Sequence, residues 1–395
     1  MSITDPTAQT RTVPSEATLK ILVIKSRHIG DVLLTAPVIA SLKAHAWPHG
    51  RVPRITALVK KGTEPMLRYH PDLDACITFP TRGPEESRVG FLYRQWGWFL
   101  RLRRQRFGLV INTTEGDRGI VTAWLYGAPR RIGLAEAKAP AWRHWMLTEA
   151  ITPRPGYVHT VLRNLSLLPE EIRRPLRRVD LGIAPVHRVN MSDRLQRAGY
   201  DPERPLAVVH PAARWFFKCW TDRGMAAVID HLQGRRGVQV ALAGSPMAEE
   251  TAKRDAILSL CETRPMTFYE NLELLDEAAL IAEADLFIGV DTAPMHMAAA
   301  LDTPVVALFG PTGVWDWGPW PNGWSGDDTP YGARRGIQRA GAHVVIQDTR
   351  PCVPCGQAGC DNSKRSACLE ELSTAAVIRE IDITLEQLGL HPPAP

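Results

Sequence analysis

Three short stretches carry the residues best suited to chemistry. IKSRHIGDVLLTAP (residues 24–37) sets Lys25, Arg27, His28 and Asp31 around a glycine, between a run of apolar residues and the start of a helical pattern. A carboxylate there can accept a proton, and the neighbouring cations can hold an anion or lower the carboxylate's pKa. The same Asp31 is equally placed to cap the helix. HPAARWFFKCW (residues 210–220) carries Lys218, suited to neutralising a phosphate beside free backbone N–H groups. FIGVDTAPMHMAAAL (residues 287–301) ends an apolar run at Asp291 and opens a small-residue helix with Thr292, Ala293 and His296. A hydroxyl, free N–H groups and an imidazole at such a junction suit a pyrophosphate; the competing reading is a helix cap and a core histidine.

The elements that must position these residues form a repeating pattern. Apolar runs at 20–25, 54–59, 74–79 and 108–114 in the first half, and at 206–211, 238–244, 286–291 and 304–310 in the second, read as strands. Amphipathic stretches at 32–45, about 92–105, 222–233, 247–261, 272–284 and 293–301 read as helices. Strands alternating with helices imply parallel sheets with right-handed crossovers, hence two doubly wound α/β domains. Their ligand crevice lies at the carboxyl ends of the strands, between the domains. The expected division is a polar tail over 1–18, a first domain over 19–185, a linker over 186–205, a second domain over 206–372, and a helix over 373–395 packing back on the first domain. That architecture admits a glycosyltransferase, a two-domain dehydrogenase or a binding protein.

Composition narrows the field. The 395 residues carry a net charge of +5, but residues 1–185 hold 28 Lys and Arg against 15 Asp and Glu, while 186–395 hold 19 against 27. A basic half joined to an acidic half implies that one side meets an anionic partner. The polar N-terminus and the lack of a long apolar run predict a cytoplasmic protein without a signal peptide or spanning helix. The first strand is not followed by GxGxxG, and GxxxxGK[ST] does not occur, which disfavours a dinucleotide dehydrogenase and excludes a P-loop enzyme. The Asp72–Asp74 pair reads as structural rather than as a metal–nucleotide clamp.

Taken together, IKSRHIGDVLLTAPV, INTTEGDRG, the Lys218 loop, FIGVDTAPMHMAAAL and ALFGPT resemble, in order over about residues 20–385, the ADP-heptose:lipopolysaccharide heptosyltransferase family (glycosyltransferase family 9), most closely the heptosyltransferase III type. The resemblance implies a GT-B fold, with two Rossmann-like domains facing a central cleft, and an inverting reaction without a required metal cofactor. It implies ADP-heptose as donor and the lipopolysaccharide inner core as acceptor. By the same resemblance Asp31 matches the base that deprotonates the acceptor hydroxyl, with Lys25, Arg27 and His28 on the acceptor side. Lys218, Asp291, Thr292, Ala293 and His296 match the donor site. The chain departs from the family pattern at Ala212 and Ala213, where Thr or Ser is frequent, at Ala293, where Gly is common, and at Pro246, where a ribose-binding glutamate is expected. These departures leave two alternatives open: a related transferase using another nucleotide sugar, and a non-catalytic lipid-binding GT-B module.

Two further features stand apart. Residues 88–106 interleave six arginines with Phe91, Tyr93, Trp96, Trp98 and Phe99. This suits peripheral binding at the cytoplasmic face of the inner membrane or a lipid-linked acceptor, with an ordinary amphipathic core helix as the plain alternative; nucleic acid is not expected as a partner. Cys352, Cys355, Cys360 and Cys368, within a loop over 350–368, could hold a structural zinc or iron. Trp315, Trp317, Trp320 and Trp324 could stack on a sugar or a base, or pack beneath a long loop.

Overall fold

A computed structural model of the chain describes residues 18–390. Two sheets organise it, in the doubly wound arrangement the sequence predicts. The first has the order β3-β2-β1-β4-β5-β6, all parallel, from β1 (Thr18–Lys25), β2 (Val52–Val59), β3 (Ala75–Thr78), β4 (Leu109–Asn112), β5 (Arg130–Leu134) and β6 (Glu149–Ile151). The second has the order β12-β13-β11-β10-β7-β8-β9. It uses β7 (Leu206–His210), β8 (Gln239–Ala243), β9 (Met266–Phe268), β10 (Leu286–Val290), β11 (Val305–Phe309), β12 (Gln338–Ala340) and β13 (His343–Gln347), with β12 the antiparallel edge.

Both sheets change winding direction beside their first strand. In the first the reversal falls between β1 and β4, in the second between β7 and β10. At such a point the helices leave toward opposite faces, and a crevice opens at the carboxyl ends of the strands. Residues following Lys25, Asn112, His210 and Val290 are thereby directed into crevices. The central strands β7, β10 and β11 are buried along their whole length, as continuous apolar runs require in a parallel sheet covered on both faces. One apolar cluster joins Leu33 and Ile39 of the first half to Met297, Leu275 and Phe309 of the second. At about 1.5–3 kcal/mol for each fully buried large side chain, this shared core fixes the two sheets against each other.

Several expectations need revision. The stretch expected to be a linker is helical over Pro185–Arg197, because Met191 and Leu195, four residues apart, bury one face against the helix Leu274–Ala282. The C-terminal helix Thr374–Gln387 does not return to the first domain. Its stripe Val377, Ile381 and Leu385 packs with the helix Asp222–Gly234 over the second sheet, and Asp382 bonds His231 at 2.7 Å. The tail expected over 1–18 lies outside the described residues except for Thr18, which begins β1. Strands β5, β6, β9, β12 and β13 add to those read from the sequence.

Candidate active site

The two crevices merge into one cavity of about 430 Å³. It is lined by His28, Gly30 and Asp31 from the loop after β1, by Ala213 and Lys218 from the loop after β7, and by Asp291, Thr292, Ala293 and His296 after β10. The loops singled out in the sequence therefore meet across one space.

On the first wall, Lys25 ends β1 and is 4% exposed; its ammonium donates to the Thr113 carbonyl at 2.9 Å and lies 3.5 Å from an Asp31 carboxylate oxygen. Burial lowers the Lys25 pKa, and the Asp31 carboxylate opposes that shift. Asp31 stands in the first turn of the short helix Ile29–Leu33, whose capping position is His28, without a side-chain cap. Asp31 thus faces the cavity with Lys25 as its ionic partner, and the capping alternative does not describe it. His28 sits at the mouth. Arg27 points away, its guanidinium donating to the Glu115 carbonyl at 3.3 Å, and is not part of the cavity lining.

On the second wall, the Lys218 ammonium and the Thr312 hydroxyl both donate to one oxygen of Asp291, each at 2.6 Å. Asp291 is 5% exposed, so the pair is held in a place of low dielectric. Thr292 is the capping residue of the helix Ala293–Ala300, with extended backbone and no side-chain cap, and Pro294 in the first turn. The first-turn N–H groups are therefore left for other partners. Ala212 and Ala213 are buried. Glu250 accepts the Ser245 N–H at 2.8 Å, bracing the turn that contains Pro246.

His296 joins the walls. Its ring is buried against Gly30, where an added Cβ would lie 2.8 Å from its Cδ2. Burial pushes the imidazole down to about 4, with Lys218 adding to the shift and the Asp291 and Asp31 carboxylates opposing it. It is thus a neutral ring near pH 7, and its Nδ1 lacks a hydrogen-bond partner.

The sequence reading missed a third contributor: Lys60, Lys61, Gly62 and Thr63, which follow β2 and line the cavity, as do Arg214, Trp215 and Trp317. Two consecutive lysines at the carboxyl end of a strand were the available signal. The other tryptophans of the long loop pack between the domains: Trp315 stacks on Tyr157 at 4.0 Å, and Trp320 is buried beside His159. Asp74 accepts the Ile55 N–H at 2.8 Å and pairs with Lys43 at 2.9 Å, a structural role.

Cys352, Cys355 and Cys360 are exposed while Cys368 is buried near Gly310. Among the described residues no group of three or more His, Cys, Asp or Glu is gathered as a metal site. Burial raises the Cys368 thiol to about 11, with Cys360, Asp348 and Cys355 adding to the shift and Arg350 opposing it.

The description "Glycosyltransferase family 9 (heptosyltransferase)" matches residues 97–325. The chain is 33% identical over 329 residues to "Lipopolysaccharide heptosyltransferase 3" of Escherichia coli (strain K12), covering 81% of this chain and 92% of that one. Among solved structures it is similar to a family 9 glycosyl transferase from Veillonella parvula (TM-score 0.71, 20% identity, 93% of this chain and 98% of that one). It is also similar to the E. coli heptosyltransferase WaaC with ADP (TM-score 0.65, 17% identity, 93% and 100%). The two solved structures share the GT-B architecture described above. With a match over more than half of its length, the chain belongs to glycosyltransferase family 9, the heptosyltransferases.

Proposed function

We propose that this glycosyltransferase moves heptose from ADP-heptose to the inner core of lipopolysaccharide by a single inverting displacement. The observation that carries the reading is the convergence of Asp31 with the Lys218–Asp291 pair and His296 in one cavity. Asp31 removes the proton of the acceptor hydroxyl as its oxygen attacks the anomeric carbon, through an oxocarbenium-like transition state. Lys25, 3.5 Å away, is the ionic partner of Asp31 at the end of β1. Charge growing on the departing ADP is met by Lys218 and the free N–H groups at the start of the helix Ala293–Ala300. His296, neutral, contributes a hydrogen bond rather than a charge. Side chains thus supply the compensating positive charge, and transfer in the presence of a chelator tests whether a divalent metal is needed.

The acceptor is lipid-linked, and the protein works at the cytoplasmic face of an anionic inner membrane. Supporting this, the helix Arg88–Arg103 exposes Val89, Leu92, Tyr93 and Trp96 at 78%, 61%, 82% and 58%. That spacing is one face of a helix. No helix among the described residues is long and apolar enough to cross a membrane, so contact would be through this face.

The deciding experiment is transfer from ADP-heptose to truncated core acceptors by the wild type and by Asp31→Asn. The asparagine variant should bind ADP normally and lose about 10²- to 10⁴-fold in kcat. Undiminished turnover would remove Asp31 from the role of base.

A further inference from the structure

A separate hollow of about 510 Å³ lies in the first domain, where Gly108 leads into β4. Arg103, Arg104 and Arg106 border it, and no acidic residue does. Leu100 and the buried Phe107 and Tyr126 give it an apolar floor. Arg103 donates to the Leu125 carbonyl, while the side chains of Arg104 and Arg106 meet no hydrogen-bond or ionic partner among the described residues. Clustered cations without an acid repel one another, and a bound anion relieves that repulsion.

The end of a helix explains only part of this charge. Arg101 and Arg103, in the last turn of the helix Arg88–Arg103, complement its dipole. Arg106 lies beyond the helix at φ 53°, in the left-handed region that favours glycine. An arginine there carries a backbone cost that no contact of its own side chain offsets. At the rim, Gly127 faces the Arg103 guanidinium, and a Cβ there would stand 3.1 Å from its Cζ. That guanidinium rests on bare backbone, which fixes its position.

The hollow also ends the exposed face of its helix. Val89, Tyr93, Trp96, Leu100 and Arg103 follow at alternating steps of four and three residues, which is one stripe of a helix. The stripe is apolar and exposed where it begins and reaches the arginines where it ends. Because the helix joins the parallel strands β3 and β4, it starts at their carboxyl edge, where the cleft opens, and finishes at their amino edge. Its 16 residues span about 24 Å.

We propose that this hollow binds the phosphate of an anionic membrane phospholipid, the guanidiniums taking the phosphate oxygens and the apolar floor the start of the lipid tails. This rests on the membrane-contact reading above and adds a defined lipid site at the far end of the contact face. A basic rim over an apolar floor suits a phosphate that carries hydrocarbon, whereas free phosphate leaves the floor unused. The apolar stripe and the bound lipid then hold the two ends of one helix to the bilayer, which sets the angle at which the cleft meets it.

The full-length wild type, Arg104→Gln/Arg106→Gly and Arg104→Lys/Arg106→Lys are compared by sedimentation with vesicles of phosphatidylcholine, alone or with one quarter phosphatidylglycerol. Each is also titrated calorimetrically with monomeric dihexanoyl phosphatidylglycerol, inorganic phosphate and a single-stranded oligonucleotide. Glycine suits the backbone at 106, so the first variant should keep its melting temperature. It should bind the phosphatidylglycerol vesicles about 10- to 50-fold more weakly and lose saturable binding of the short-chain lipid, with transfer to a soluble acceptor unchanged. The lysine variant should keep most of the vesicle binding but take up the short-chain lipid several-fold more weakly, since an ammonium lacks the fork. Wild-type vesicle binding that neither variant reduces, or equal short-chain lipid binding by the wild type and the lysine variant, overturns the lipid site and leaves the apolar contact standing. Tighter binding of inorganic phosphate or of the oligonucleotide than of the short-chain lipid overturns it too. A wild type that binds neither vesicle overturns the membrane reading and the site together.

Discussion

Replacing Gly30 by alanine tests whether the walls of the site are registered through His296. Local preference favours the change. Gly30 lies inside the helix Ile29–Leu33, where alanine is better than glycine by about 1 kcal/mol. Against this, the new Cβ would stand 2.8 Å from Cδ2 and 3.5 Å from Nε2 of a buried ring, and overpacking of that kind costs about 1–3 kcal/mol. The two effects nearly cancel, so stability should change by no more than about 2 kcal/mol. Activity has no such cancellation. Relief requires the ring to turn or the cleft to open, and either displaces Asp31 relative to the donor helix. A misplacement of about 1 Å can cost on the order of 10²-fold. The expected result is a melting temperature within a few degrees of wild type and a kcat at least tenfold lower. A Gly30→Ala/His296→Ala double variant should show a coupling of about 0.5–3 kcal/mol in a stability cycle. An alanine variant about 1 kcal/mol more stable with unchanged kcat would refute the contact as a working feature.

Acid should destabilise the fold well before the carboxylates titrate. Burial holds His296 and His343 at about 4 and His159 at about 3, so the unfolded chain takes up protons near its ordinary value of about 6.5 that the folded chain refuses. Stability is therefore lost as pH falls from about 6.5 toward 4, by up to about 3 kcal/mol per histidine. His210 acts in the opposite sense: burial pulls it down, but Glu277 prevails and raises it, so its contribution is present below about 6.5 and fades as pH rises. Melting temperatures at pH 7.5, 6 and 5 check the sum, and a flat profile would contradict it. Lys218→Ala should abolish the thermal shift given by ADP and cost about 1–3 kcal/mol by leaving buried Asp291 with Thr312 alone; a retained shift would separate Lys218 from the donor. Leu92→Asp and Trp96→Asp should reduce sedimentation with anionic vesicles at least tenfold while leaving transfer to a soluble acceptor intact, and equal sedimentation would discard the exposed face as the contact.

The most plainly legible strands were β10 and β11, buried along their whole length. LFIGV and VVALF need no partner to declare themselves, since every position is apolar. Strand β5, RRIGL, beside the edge strand β6, does not: Arg130 is tolerated there because Glu149 of β6 and Glu171 both pair with it. Neither pairing is local in sequence. The helix Pro185–Arg197 was hidden for a similar reason, its buried face resting on Met191 and Leu195 amid polar neighbours. At the site, Asp31, Lys218, Asp291 and His296 were legible because strand-end loops carry function in doubly wound sheets. Their partners were less so. Lys60 and Arg214 lie on different domains, and only the facing of two switch points brings them to one mouth.

The charge asymmetry of the chain finds its physical place away from the cleft. Lys60 and Lys61 come from the basic half, Arg214 and Lys218 from the acidic half, so the cavity's cations divide evenly between them. Four arginines of the first half, Arg101, Arg103, Arg104 and Arg106, gather instead at the end of the helix Arg88–Arg103. Arg103 is there tied to the Leu125 carbonyl, and Arg103, Arg104 and Arg106 border a separate hollow remote from Asp31. Exposed charges of this kind act over about 8 Å at physiological ionic strength. They can orient the protein on an anionic surface, but they cannot select a hydroxyl. Selection requires groups fixed at hydrogen-bonding distance, and those are supplied by the two switch points, whose strand order, rather than net charge, decides where they stand.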